Sequence, residues 1–351
     1  MTSTLMTSVL TTKVTTNDAT TMYYSELLNN IIYYVMVSES IIGISGNGLG
    51  IAILRKHNLA ASSSKLLLAL CANDLLICFF MCGTGIQKLF IYLEGKYNYV
   101  LMISVTNVLN LVSTLVFSVL VPISLILTTS ISVERFIAVC FPFHVSRIMT
   151  SGRISVYIIL IYVCFGVVAS PAFLRNSLLF EYSPLYNATV VVVRYSEYYL
   201  INRTYIDTYL VKVLGNTLVA VCLPVIFVST VTITVKLVWR KMEHVSEQGT
   251  RKKSVNQYKI IKMLTTVCSL TFLTYLAGQS IYTVRSFFPD EIFSSLTGEI
   301  YLSAYRLVMH VNASANFIIY ICMCKKFRIE FLAIVLYVPK HILRIIKFFH
   351  I

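Results

Sequence analysis

Seven long apolar stretches govern what this chain can become. They lie near 31–54, 66–91, 102–139, 154–174, 207–238, 259–284 and 300–322. Each holds the roughly 20 apolar residues that a membrane-crossing helix needs. Inside lipid the backbone must satisfy its own hydrogen bonds, so helices are the structure such stretches adopt. The third and fifth exceed one bilayer thickness and are expected to tilt or project. The rest of the composition agrees: of 351 residues 57% are hydrophobic and 13% charged, with a mean hydropathy of +0.77. Soluble domains are about a quarter charged. The deficit excludes a soluble enzyme, a disordered chain and a secreted disulfide scaffold. The expected fold class is an all-α membrane protein, a seven-transmembrane helix bundle.

The net charge of +14 is no sign of nucleic acid, because too little polar surface remains to present a basic face. It belongs instead in cytoplasmic loops. With the N-terminus outside, 20 of the 29 Lys and Arg fall on the inner side, nine on the outer. Two glycosylation sequons, at Asn187 and Asn202, fall in the loop between spans four and five, which this topology also places outside. A third, at Asn312, lies within span seven and is expected to be silent. The chain thus divides into a Thr-rich extracellular tail (1–30), a seven-span domain (31–324) with a third inner loop at about 239–258, and a basic cytoplasmic tail (325–351). Residues 1–30 lack the apolar core of a cleaved signal peptide, so span one acts as the insertion signal. In the tail, apolar residues alternate with Lys325, Lys326, Arg328, Lys340, Arg344 and Lys347, which suits a short amphipathic helix on an anionic leaflet.

All nine cysteines lie within or beside spans, so no external disulfide is expected. No internal repeat supports a transporter of duplicated halves. Polar groups at membrane depth are costly and mark interior or functional positions. Four places stand out: Asn47; Asp74, flanked by apolar residues; Glu134-Arg135 at the inner end of span three; and Asn312 with Asn316 in span seven. A lone asparagine serves equally well as interhelical glue. A buried carboxylate must be neutral, paired or on a cation, which makes Asp74 the stronger functional candidate.

Gly46-Asn47, Leu70 with Asp74, Glu134-Arg135-Phe136 followed by Pro142-Phe143, Pro224, and Asn316-Phe-Ile-Ile-Tyr320 followed by Lys326-Phe327-Arg328 occur in this order on successive spans. In them the chain resembles the rhodopsin-like (class A) G-protein-coupled receptors, from about residue 30 to 335. The resemblance implies a multi-pass receptor of the plasma membrane whose partners are a heterotrimeric G protein and an extracellular ligand. It implies that Arg135 is held by Glu134 at rest and freed on activation, with Phe136, Asn316 and Tyr320 in the same switch. Asp74, Ser124, Asn312 and Asn316 would form a sodium pocket, sodium being an allosteric modulator rather than a required cofactor. Asn47 and Pro224 would be structural. The chain also departs from the pattern. Phe317 follows Asn316 where the family has proline, Leu276 and Gly278 stand at the Trp and Pro of span six, and Asn110 takes the place of the span-three cysteine. Gly278 still permits a kink.

Span seven has no lysine for a retinal Schiff base, and Phe117 occupies the aspartate position of amine receptors. Gln87, Phe117, Gln279, Arg306 and His310 remain as ligand-pocket candidates. Arg306 and His310 share one helix face and suit a carboxylate or a polar peptide end; equally, Arg306 can snorkel to the lipid surface. The run 187–205, β-branched then Tyr-rich, predicts a hairpin, which would form part of the mouth. Short neuropeptides of invertebrate type and external chemosensory cues both fit as ligands. A seven-span channel or transporter and a non-signalling decoy are the alternatives. An enzyme is not expected, since no HExxH or GxSxG motif occurs. After Ser314 the chain has no Ser or Thr, so Ser246, Thr250 and Ser254 in the third inner loop are the phosphorylation candidates.

Overall fold

The computed structural model describes the backbone of residues 2–56, 62–97, 100–184, 187–243, 251–287, 295–323 and 325–335. Ten α-helices occur among them: α1 (Thr2–Lys56), α2 (Ser62–Tyr97), α3 (Val100–Cys140), α4 (Pro142–Ile148), α5 (Ser151–Val168), α6 (Glu197–Asp207), α7 (Asn216–Glu243), α8 (Arg251–Phe287), α9 (Ser295–Met323) and α10 (Lys325–Val335). Seven are long and apolar enough to cross a membrane. The windows are Leu27–Arg55, Ser63–Gly83, Asn107–Cys140, Ser151–Val168, Asn216–Trp239, Ile261–Ile281 and Ile300–Met323, called spans one to seven below.

The bundle is built by burying one stripe of each helix. Towards one end Leu70, Ile123, Leu127, Val267 and Tyr320 form the core, and towards the other Met36, Ile77, Leu125, Ile226 and Tyr275 do so. Pro122 lies inside α3, where it removes a donor from the ladder and crowds the preceding turn. The neighbouring carbonyls accept side chains from other spans: Asn73 Nδ2 donates to Leu120 O (2.9 Å), and Tyr275 Oη to Val121 O (2.6 Å).

Glycines set the closest approaches. A Cβ on Gly46 would run into the Phe317 ring, and one on Gly278 into Met309 Cε. Gly278 therefore lets spans six and seven touch, while α8 runs on through it as a single helix.

Three boundaries differ from those expected. The Thr-rich stretch is helical and continues α1 back to Thr2. Helices α7 and α8 extend into the segment 239–258 expected as a loop, with 244–250 between them; Ser246 and Thr250 lie outside the described residues, as does the Ser254 side chain. The hairpin expected over 187–205 is assembled differently. β2 (Ala188–Tyr195) is the β-branched run, but it pairs antiparallel with the preceding segment, β1 (Asn176–Ser183), in register Asn176 with Tyr195 and Ser183 with Ala188. Pro184 stops β1, and Asn187 supplies a left-handed residue at φ 47°. The Tyr-rich run is helical instead, because Ser196 caps it, its hydroxyl accepting from Tyr199 N at 3.1 Å.

Candidate functional site

Midway along span two, Asp74 is fully buried. Ser124 of span three donates to its Oδ1 and Asn316 of span seven to its Oδ2, each at 2.8 Å. Three helices thereby meet on one carboxylate. Asn316 Oδ1 is buried without a hydrogen-bond partner, so an acceptor oxygen is left over beside the acid. The carboxylate, the Ser124 hydroxyl and that carbonyl oxygen are the hard donors a small alkali cation takes. Asn312 does not join this set. Its Oδ1 accepts from Thr271 of span six at 2.8 Å, so it links spans six and seven one turn away.

A second constellation closes the other end of span three. Glu134 is buried, and its Oε2 lies 2.8 Å from Arg135 Nε. Ser63, at the start of span two, donates to Glu134 Oε1 at 2.7 Å and accepts from Arg135. With the guanidinium only 15% exposed, the pair lies in a poorly solvated place where its attraction exceeds that of a free surface pair. Phe136, the next residue, packs against Val139, Ile233 and Leu237, where spans three and five meet. Tyr320 of span seven is buried beside Phe327 of α10, ring centroids 5.6 Å apart.

The geometry just described sits within residues that match a known family: 46–320 correspond to the 7 transmembrane receptor (rhodopsin family). The chain belongs to that family. Among its relatives, growth hormone secretagogue receptor type 1 of Mustela putorius furo is 22% identical over 317 residues, covering 84% of this chain and 77% of that receptor. The human receptor of the same name gives the same figures. The FMRFamide receptor of Drosophila melanogaster is 25% identical over 307 residues, 84% of this chain but 52% of the fly protein. This chain is thus a rhodopsin-family, multi-pass membrane protein.

The ligand-pocket candidates make the following contacts. Phe117 meets Tyr305 edge-on, ring centroids 5.6 Å apart, between spans three and seven. Gln279 reaches Asn216 of span five at 3.2 Å. The Gln87 side chain lies outside the described residues. Arg306 and His310 face span one, forming part of a polar ladder. Ser303 Oγ donates to Asn29 (2.9 Å), Arg306 bonds the Tyr33 hydroxyl, and His310 lies 3.2 Å from both Glu39 and Ser40. Below them Asn47 Nδ2 donates to Ala313 O at 2.9 Å. The bond to Tyr33 turns Arg306 inward rather than towards lipid.

Glu39 went unnoticed in the sequence. Ser40 gives its own proton to Met36 O (2.7 Å), so His310 Nε2 donates to Ser40. Its Nδ1 then shares a proton with Glu39. Pro224 lies inside α7 with its side chain exposed. Of the sequons, Asn187 is exposed at the hairpin turn, and Asn202 is bonded to Tyr198 O at 2.9 Å.

Proposed function

We propose that this chain is a ligand-activated receptor of the plasma membrane, N-terminus outside, that promotes nucleotide exchange on a heterotrimeric G protein. The observation that carries this reading is the Ser63–Glu134–Arg135 lock. It holds a cation at the inner mouth of the bundle by contacts that a small outward movement of span three or two would break. Phe143 supports it, a ring 91% exposed on α4, the helix that follows α3; an aromatic so placed on a connecting helix suits a protein partner. The names of the relatives, a secretagogue receptor and an FMRFamide receptor, support a short peptide as ligand, with an external chemosensory cue the other candidate.

Under this reading Asp74, Ser124 and Asn316 hold sodium as a modulator of the resting state. Ser246, Thr250 and Ser254 serve as control sites. The deciding experiment measures nucleotide exchange on a promiscuous G protein in membranes carrying the parent or Arg135→Ala, across a library of amidated and free peptides. Exchange in the parent and none in the variant, at equal surface expression, is the expected result. A non-signalling decoy is the second reading, favoured by Leu276 and Phe317 where the family carries Trp and Pro. It predicts peptide binding with no exchange in either protein.

A further inference from the structure

The connection between spans four and five contains no cysteine, yet it is pinned at both ends and in the middle. Tyr199 is 1% exposed, and its hydroxyl donates to Asp207 Oδ2 at 2.9 Å. Arg175, just beyond span four, lies 3.4 Å from Asp207 Oδ1, and its guanidinium carbon sits 5.3 Å from the centre of the Tyr199 ring. Arg203 is a second, more distant cation on Asp207 at 3.8 Å. Ser196 adds a backbone bond to Arg175 O at 3.0 Å and a hydroxyl bond to Leu174 O. The segment leaving span four is thus fastened to the helix entering span five. The hairpin between them is fastened to span three, where Asn107 Nδ2 donates to Val191 O at 2.9 Å.

We propose that Arg175, Tyr199 and Asp207, with Asn107, form a non-covalent clasp that holds the hairpin over the outer end of the bundle and so sets access to it. That the access is a ligand's rests on the receptor reading above; the clasp itself is testable with no ligand. The Arg175 and Asp207 side chains are 30% and 35% exposed. The pair is therefore partly desolvated yet within reach of salt, whose screening length at 1 M is about 3 Å. Tyr199 is sealed beneath the pair, so loosening the ions also exposes a buried ring. A disulfide would ignore salt and yield to reductant, whereas this clasp does the reverse. The hairpin's own ion pair, Arg194 with Glu181 at 2.7 Å, joins strand to strand and takes no part.

The test is amide hydrogen exchange of residues 176–195 in the full chain, purified in detergent without ligand. Tyr199→Phe and Asp207→Asn are each expected to raise exchange about tenfold, the loss of one charge-assisted hydrogen bond. The double variant should be no faster than either alone, Asp207→Glu should restore part of the protection, and Arg194→Ala should leave it unchanged. Salt at 1 M should bring the parent to the rate of the variants, and reductant should do nothing. For access, Phe117→Cys should react with an externally added charged thiol reagent about tenfold faster in the Tyr199→Phe background. Unchanged exchange in both clasp variants, or acceleration of the parent by reductant, overturns the proposal. So does equal labelling in both backgrounds. Nucleotide exchange, read in the same preparations, bears only on the receptor reading, so failure of one is distinguishable from failure of the other.

Discussion

Asn316 donates its side-chain amide to Asp74 across 2.8 Å, joining span seven to span two at the single acidic residue of that span. Ser124 of span three bonds the other oxygen of this carboxylate at 2.8 Å. Its occupancy by a proton or a cation therefore bears on how three helices stand relative to one another.

If sodium is the cation, the parent in detergent should melt higher in sodium than in an equal concentration of a bulky organic cation. At about five times the dissociation constant the gain is about 1 kcal/mol. Asp74→Asn should abolish the difference while keeping the amide shape. A variant that still responds to sodium like the parent would remove Asp74 from the site.

Ser63 is the part of the inner lock that the resemblance does not supply. Its hydroxyl bonds a carboxylate and a guanidinium at once. Ser63→Ala should therefore free Arg135 and raise basal nucleotide exchange about tenfold, on the scale of one hydrogen bond to a charged group. Lower or unchanged basal exchange at equal expression would mean that the lock does not restrain the resting state.

The seat of Phe317 on Gly46 leaves no room for a methyl group. Gly46→Ala should cost about 1–3 kcal/mol through overpacking, read as a lower melting temperature. Phe317→Leu in the same chain should recover most of the loss. Failure of the second change to rescue the first would place the clash elsewhere.

His310, buried, and Glu39, half-buried, form a pair that spans one and seven share. His310→Ala leaves the carboxylate without its partner and should lower the melting temperature, at a cost of about 1–3 kcal/mol for a polar group left unpaired. The double variant His310→Leu with Glu39→Leu should be far less affected. A thermal series over the three proteins separates the outcomes; equal loss in the single and double variants would make the pair incidental.

Orientation is read by glycans. The parent expressed in eukaryotic cells should lose mass on treatment with peptide N-glycosidase, and Asn187→Gln with Asn202→Gln should show no shift. A glycan retained by that double variant would contradict the outer placement of the loop.

Much of the fold was legible because membrane crossing is written in local composition: all seven spans could be located from apolar runs alone. The inner lock and the Asp74–Ser124 contact were also within reach, since their residue types are rare at membrane depth. What escaped is pairwise and distant. Glu39 stands between two serines in span one and acquires meaning only from His310, which is 271 positions away. Asn312 looked equivalent to Asn316, but the hydroxyl of Thr271, on another helix, claims it. The Tyr-rich run has a strand-like composition, and one capping serine decided for helix. Periodicity carries none of these outcomes.

The ladder between spans one and seven has a mechanical consequence. Asn29, Tyr33, Glu39, Ser40 and Asn47 fasten span one along most of its length. Asp74 adds span two, and the rings of Phe317 and Phe327 add α10. Together they make a stator. Span six is tied to its surroundings at depth by the hydroxyls of Thr271 and Tyr275, each worth about 1 kcal/mol. If span six moves against this frame, as the receptor reading proposes, breaking those two bonds corresponds to a preference of about thirtyfold for the released form.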